Sequence, residues 1–157
     1  MKNIVVLSDT HGRVGNVEEL YPIMNEADLV VHLGDGASDM REFFKNNPEK
    51  TYVCKGNCDF FPALKDCEIE VERVKIFCCH GDRYRVKSDF LPLALEAKKR
   101  GCSVALYGHT HVADIRTVEG VLLVNPGSLR YPKSRGGSYA YLSVKGDKAY
   151  PVIVGDN

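Results

Sequence analysis

The chain has 157 residues, and its 21 Lys plus Arg balance 21 Asp plus Glu, so the net charge is zero. A dedicated nucleic-acid or membrane-surface binder carries a basic excess, and this balance argues against both. A chain of this length buries roughly 70% of the surface that its unfolded form exposes, so it needs no disulfide or metal staple to fold, and a bound metal points to function.

The predicted elements follow in chain order. Asn3–Ser8 is a β-branched run and reads as a buried strand. The loop Asp9-Thr10-His11-Gly12 follows. Val17, Leu20, Tyr21 and Met24 stand at helical spacing, which predicts one amphipathic helix over Val17–Ala27. Asp28–Leu33 is a second strand, ended by Gly34-Asp35-Gly36. Ser38–Lys45 reads as a helix with Ser38 as its N-cap. Thr51–Cys54 is a third strand, ended by Lys55-Gly56-Asn57. Asp66–Glu72 alternates with period two and Arg73–Cys79 resumes at once, so the two form a hairpin. Ser88–Arg100 is a helix closed by Gly101, and Ser103–Tyr107 is a strand that runs into Gly108-His109. Short strands follow at Val112–Val118, Val121–Val124, Tyr139–Val144 and Ala149–Val154.

The first third is therefore βαβαβ and the last third is antiparallel. A doubly wound parallel sheet would not end in hairpins. The fold class expected is α/β, a four-layer α/β/β/α sandwich of two mixed β-sheets flanked by helices, in a single domain over 1–157. A flavodoxin-like single sheet is the alternative. No repeat, low-complexity segment or linker interrupts the chain.

None of the six cysteines (Cys54, Cys58, Cys67, Cys78, Cys79 and Cys102) forms a C-x-x-C pair. Cys54, Cys78, Cys79 and Cys102 lie in or beside apolar stretches, where a thiol packs as a small hydrophobe. They read as reduced thiols in a cytoplasmic protein. The N-terminal apolar run Ile4–Leu7 is too short for a signal peptide, and no stretch is long enough to span a membrane.

The polar residues fall at strand ends. Five predicted strands run into Asp9-Thr10-His11-Gly12, Gly34-Asp35-Gly36, Gly56-Asn57-Cys58-Asp59, His80-Gly81-Asp82 and Gly108-His109-Thr110-His111. Ligands of α/β sheets bind outside the carboxyl ends of strands, so these loops can converge on one rim. Their carboxylate, amide and imidazole groups suit Mn²⁺, Fe²⁺, Co²⁺, Ni²⁺ or Zn²⁺. Seven candidate ligands (Asp9, His11, Asp35, Asn57, His80, His109 and His111) are too many for one ion and fit two ions that share a carboxylate.

Each motif alone is weak, but the ordered set of five is specific. It resembles the calcineurin-like metallophosphoesterase superfamily, whose pattern is D-x-H, G-D, G-N-H-D/E, H-G and G-H-x-H in that order. The resemblance runs from Asp9 to at least Ser128, and the small size and Asn125-Pro126-Gly127-Ser128 look like its compact phosphodiesterase branch. It implies two divalent cations, Mn²⁺ first among them. Asp9, His11 and His111 would hold one ion, and Asn57, His80 and His109 the other, with Asp35 between them. A hydroxide bridging the two would attack the phosphorus. The family has His where this chain has Cys58. That His is thought to protonate the leaving group, oriented by the following acid, here Asp59. Cys58, Asp59 and Asn57 are thus the catalytic candidates, and a thiol at position 58 favours diesters and good leaving groups over alkyl monoesters.

Blander readings stand beside these. His32 lies within an apolar strand and reads as a hydrogen-bonded core histidine. Asp39 and Asp82 read as a helix-start charge and a turn acid. Phe60 and Phe61 are core or a lip of the site. Arg130, Lys133 and Arg135 lie in a basic loop that is either solvated or in contact with substrate phosphate. The expected partner is a small phosphate ester, with no nucleic-acid-binding domain and no membrane; self-association is left open. A rival from another class is a protein-interaction scaffold like the small retromer subunit, which has a similar fold. The scaffold relatives lose or alter site residues, and all seven ligand positions are filled here.

Overall fold

The structure is a computed structural model and describes residues 1–129 and 137–155. It contains two five-stranded sheets. The first is built from β1 (Lys2–Leu7), β2 (Leu29–His32), β3 (Thr51–Val53), β9 (Ser138–Lys145) and β10 (Lys148–Gly155), in the order β10-β9-β1-β2-β3. The second is built from β4 (Asp66–Val71), β5 (Val74–Cys79), β6 (Val104–Leu106), β7 (Asp114–Val118) and β8 (Val121–Asn125), in the order β4-β5-β6-β8-β7. Both are mixed. β1, β2 and β3 run parallel, as do β5, β6 and β8; β9 pairs antiparallel with β1 on one side of the first trio, and β4 and β7 pair antiparallel on both sides of the second.

Three apolar layers explain the unbroken hydrophobic runs of the central strands. Ile4 and Val6 of β1 face the other sheet and join Val31, Ile76, Cys78, Val104 and Leu106. Val5 and Leu7 point the opposite way, toward Val17, Met24, Met40 and Phe43 of the helical layer. On the outer face of the second sheet, Phe77, Cys79, Ala105 and Tyr107 meet Leu93, Ala94 and Ala97 of helix α4 (Leu91–Lys99). A strand covered on both faces has no need for polar alternation. This is the expected sandwich with helices outside. Cys54, Cys78, Cys79 and Cys102 are buried and free, as their apolar settings imply.

The helices depart from the sequence reading. Val17–Ala27 is not one helix but two, α1 (Val14–Glu18) and α2 (Tyr21–Glu26). Pro22 is the cause: it lacks an N–H and its ring clashes one turn back, so it is tolerated only in the first turn of α2. Pro92 likewise fixes the start of α4, three residues later than expected. Ser38 is not an N-cap. It lies inside a 3₁₀ turn, Ala37–Met40, which leads directly into α3 (Arg41–Asn46), and no side chain caps either piece. The end of α2 is closed from elsewhere: Lys50 Nζ donates to the carbonyls of Met24, Asn25 and Ala27, each at 2.9 Å.

Candidate metal centre

The carboxyl ends of six parallel strands meet at one rim. Hydrogen bonds knit their loops within and across the two sheets. Gly108 N–H donates to His80 O at 2.9 Å, His109 N–H to Asp9 Oδ2 at 3.0 Å, and His80 Nδ1 lies 2.8 Å from Leu33 O. The sixth loop follows β8 and holds Asn125-Pro126-Gly127-Ser128, the segment that the family resemblance makes a wall of the site. Asn125 Nδ2 donates to Gly108 O and Thr110 Oγ1, Ser128 Oγ donates to Asp9 O at 2.8 Å, and Leu129 N–H donates to Ser8 O. The Asn-Pro-Gly-Ser segment thus braces the loops after β1 and β6.

The ligand loops turn abruptly. Asp9, His11, Asp35, His109 and His111 all have positive φ, between 47° and 73°. L-residues with side chains rarely adopt this conformation, and where they do it clusters at functional sites. The turn lets neighbouring loops come very close. A Cβ on Gly108 would run into Ser8 Oγ and Asp9 Oδ2, and one on Gly56 would run into the Asp35 carboxylate, so only glycine fits at either place.

Two clusters of ligand atoms result. The first is Asp9, His11 and His111. His111 Nε2 lies 3.2 Å and His11 Nε2 3.7 Å from Asp9 Oδ1, and the two ring nitrogens are 3.2 Å apart. Asp9 is fully buried; its Oδ2 accepts from Ser8 Oγ and His109 N–H, and its Oδ1 has no hydrogen-bond partner, alone among buried side-chain atoms of the described residues. A buried carboxylate oxygen without a donor is costly unless a cation faces it. The second cluster is Asp35, His80 and His109. His80 Nε2 is 3.3 Å from Asp35 Oδ2 and 3.2 Å from His109 Nδ1. Leu33 O can only accept, so His80 carries a proton on Nδ1 and turns Nε2 into the cluster, where it shares a proton with Asp35 that a bound cation would displace. The donor sets therefore fit hard or borderline divalent cations. Each cluster draws ligands from both sheets, since Asp9, His11 and Asp35 follow β1 and β2, and His80, His109 and His111 follow β5 and β6.

The protonation preferences agree with closely packed ligands. Burial opposes the charged form of both Asp35 and His80. For Asp35 this is outweighed by hydrogen bonds from His80 and the Cys58 N–H, which hold the carboxyl well below its ordinary range. For His80 it is outweighed by Asp35 and Asp9, which raise it above an ordinary imidazole. Burial and the neighbouring His80 lower His109.

The remaining predicted residues are placed as follows. Asn57 and Cys58 are exposed on the loop after β3, with Asn57 Nδ2 3.6 Å from Cys58 Sγ. The Cys58 N–H donates to Asp35 Oδ1 at 2.8 Å. Burial and the carboxylates of Asp35, Asp59 and Asp9 raise the Cys58 thiol, so it stays protonated. Asp59 accepts four backbone N–H groups, from Asp35, Gly36, Ala37 and Gly56 at 2.8–3.1 Å, which ties the loops after β2 and β3 together. Burial opposes the charged form of Asp59, and those four donors outweigh it and lower the carboxyl. Arg130, Lys133 and Arg135 lie outside the described residues.

Sequence reading undervalued one network. His32 is fully buried, as a core histidine should be, and burial lowers it to about 4. Gly34 N–H donates to its Nδ1, so its proton sits on Nε2, 3.1 Å from Thr10 Oγ1. Thr10 donates onward to Asp39 Oδ2 at 2.5 Å, and Gly12 N–H reaches the same oxygen at 3.0 Å. Asp39 is therefore no mere helix-start charge; it is buried and clamps the Asp9–Gly12 loop. Phe60 and Phe61 divide the two readings offered for them: Phe61 packs on the helical layer, and Phe60 is 99% exposed.

Known proteins share both sequence and fold. The calcineurin-like phosphoesterase superfamily domain matches residues 1–147. The probable metallophosphoesterase YsnB of Bacillus subtilis is 36% identical over 155 residues, covering 94% of this chain and 87% of that one. Phosphodiesterase MJ0936 of Methanocaldococcus jannaschii is 29% identical over 142 residues, covering 79% and 82%. Vacuolar protein sorting 29 of Cryptosporidium parvum superposes with a TM-score of 0.76 over 98% of this chain and 96% of that one, at 18% identity, a likeness of fold alone. The chain belongs to the calcineurin-like phosphoesterase superfamily, as a metal-dependent phosphoesterase.

Proposed function

We propose that this phosphoesterase uses two divalent cations, Mn²⁺ by preference, to hydrolyse small phosphodiesters, acting in the cytoplasm as a single domain over 1–157. The observation that carries the two-ion reading is the orphaned Asp9 Oδ1 between His11 and His111, set beside a second complete cluster at Asp35, His80 and His109. Asp35 is assigned as the shared carboxylate and the exposed Asn57 as a weak neutral ligand of the second cluster. When bound, the pair of cations supplies an acidified water and offsets the charge of the phosphate.

The chain's own groups do the rest. Ser8 and the His109 N–H hold Asp9, Leu33 O fixes the His80 ring, and Asp59 fixes the loops that carry Asp35 and Asn57. The Cys58 thiol, still protonated at neutral pH, is assigned to donate a proton to the leaving oxygen. Arg130, Lys133 and Arg135 are assigned to the substrate's phosphate. The scaffold reading gains no support from the fold likeness to the sorting protein, and the two clusters of ligand groups argue against it.

Elemental analysis after Mn²⁺ reconstitution, run beside a hydrolysis screen over mono- and diesters, tests the reading. About two ions per chain and a chelator-sensitive diesterase are expected. A folded protein that takes up no ion, or turnover that survives exhaustive chelation, removes it.

A further inference from the structure

Beside the metal clusters lies a hollow of about 430 Å³, lined by Ser38, Arg41, Cys58, Asp59, Phe60 and Phe61 together with Pro62. It adjoins the centre directly: Cys58, on its wall, donates its N–H to Asp35. Two of its residues are hard to explain by folding. Phe60 is 99% exposed at the rim. An isolated exposed apolar side chain needs no explanation, but this one edges a hollow that opens beside a phosphoesterase centre. Arg41 is exposed and makes no ion pair among the described residues; its guanidinium lies 5.1 Å from the centre of the Phe61 ring. The hollow thus offers the open face of Phe60, a guanidinium that stacks on Phe61 but has no carboxylate partner among the described residues, and a hydroxyl within one small volume. That chemistry suits a flat, polar-edged ring, which stacks on aromatic side chains and hydrogen-bonds at its rim.

We infer that this hollow receives the base of a nucleoside esterified to the phosphate, stacked on Phe60 and held at its edge by Ser38 and Arg41. The inference rests on the phosphodiesterase reading and narrows its substrate class to esters carrying a nucleoside on the Cys58 side. A purely aliphatic group would leave Arg41 and Ser38 unused, and an anionic sugar would leave Phe60 unused.

The test compares adenosine 5′-monophosphate with ribose 5-phosphate, which carries a hydroxyl in place of the base, by calorimetric titration of the Mn²⁺-loaded protein. A stacked base is expected to tighten binding about ten-fold. Phe60→Ala should remove most of that advantage, and Arg41→Gln part of it. Phe60 is fully exposed, so its replacement does not endanger the fold. Equal affinity for the two ligands overturns the inference, and so does a base advantage that Phe60→Ala leaves intact. Hydrolysis of bis(nitrophenyl) phosphate by the unaltered protein is measured alongside. If that activity is present and the two ligands bind alike, the nucleoside subsite fails and the phosphodiesterase reading stands. If the activity and all phosphate binding are absent, the phosphodiesterase reading itself has failed.

Discussion

His111 Nε2 lies 3.2 Å from Asp9 Oδ1, and that oxygen receives no hydrogen bond from any described residue. Loop residues 102 positions apart have been brought together around an atom that asks for a positive charge. Adding metal should therefore stabilise the fold. At an ion concentration one hundred times the dissociation constant, one site contributes about 2.7 kcal/mol. Thermal denaturation with and without Mn²⁺ should show a clear upward shift, and Asp9→Asn should shrink it. An unchanged melting curve in the native protein would count against the first cluster as a cation site.

The two clusters can be separated by mutation. Asp35→Asn should weaken both ions, because Asp35 is assigned to both, whereas His11→Ala should weaken one. Calorimetric titration reads this as two affinities lowered against one. Full turnover in Asp35→Asn would show that the shared carboxylate is misassigned.

Position 58 is where the chain departs from its family's pattern. If its thiol donates the proton, Cys58→Ala should slow hydrolysis of alkyl esters by about 10²-fold or more and barely touch a nitrophenyl diester, whose leaving group needs no proton. Cys58→His should raise turnover on the alkyl esters. Identical behaviour of the two variants on both substrates would take Cys58 out of the proton path. The side chain is exposed, so neither change should disturb folding.

Asp59 should behave differently from its neighbour. Its carboxylate satisfies four backbone N–H groups, and each donor left orphaned costs about 1–3 kcal/mol. Asp59→Ala is expected to lower stability by roughly 3 kcal/mol or more in denaturant unfolding. A loss of activity with stability intact would instead support a direct catalytic role.

His32 gives the apo protein a pH dependence. Its imidazole titrates near 6.5 when unfolded and at about 4 when buried. Between those values the unfolded chain binds the proton and the folded chain does not. The stabilisation is thus complete above about pH 6.5 and is lost as pH falls toward 4, by up to about 3 kcal/mol. His80, with its raised pKa, works the other way, but it is present in both native and His32→Gln proteins. The difference between their stability curves therefore isolates His32. Parallel curves from pH 7 to 4.5 would show that His32 charges freely in the fold.

Much of this was legible in the sequence because it follows from side-chain type and spacing. β-branched runs such as Ile4–Leu7 marked the buried strands, and Asp, His and glycine after each of them marked the rim. The split of α1 from α2 was also legible at Pro22, yet the helical spacing of Val17, Leu20 and Met24 hid it, because those residues do face the same layer. What could not be read is geometry set at a distance. Nothing local announces that Asp9 or His109 takes a left-handed backbone, or that Asp59 turns to four amides rather than to position 58. The Thr10–Asp39 contact joins residues 29 positions apart, and only the folded chain brings them within reach.

Each ligand cluster draws on both sheets, so bound cations would add a clasp between two layers that meet through apolar side chains and a few hydrogen bonds at the rim. Parting the sheets would tear both coordination spheres at once, so a protein loaded at both clusters would have to release its ions before opening along that seam. Amide hydrogens of β2 and β5 should then exchange more slowly together when Mn²⁺ is added, although neither strand touches the ions through its backbone. Chelation should speed their exchange in step, while the far edge strand β10 stays indifferent.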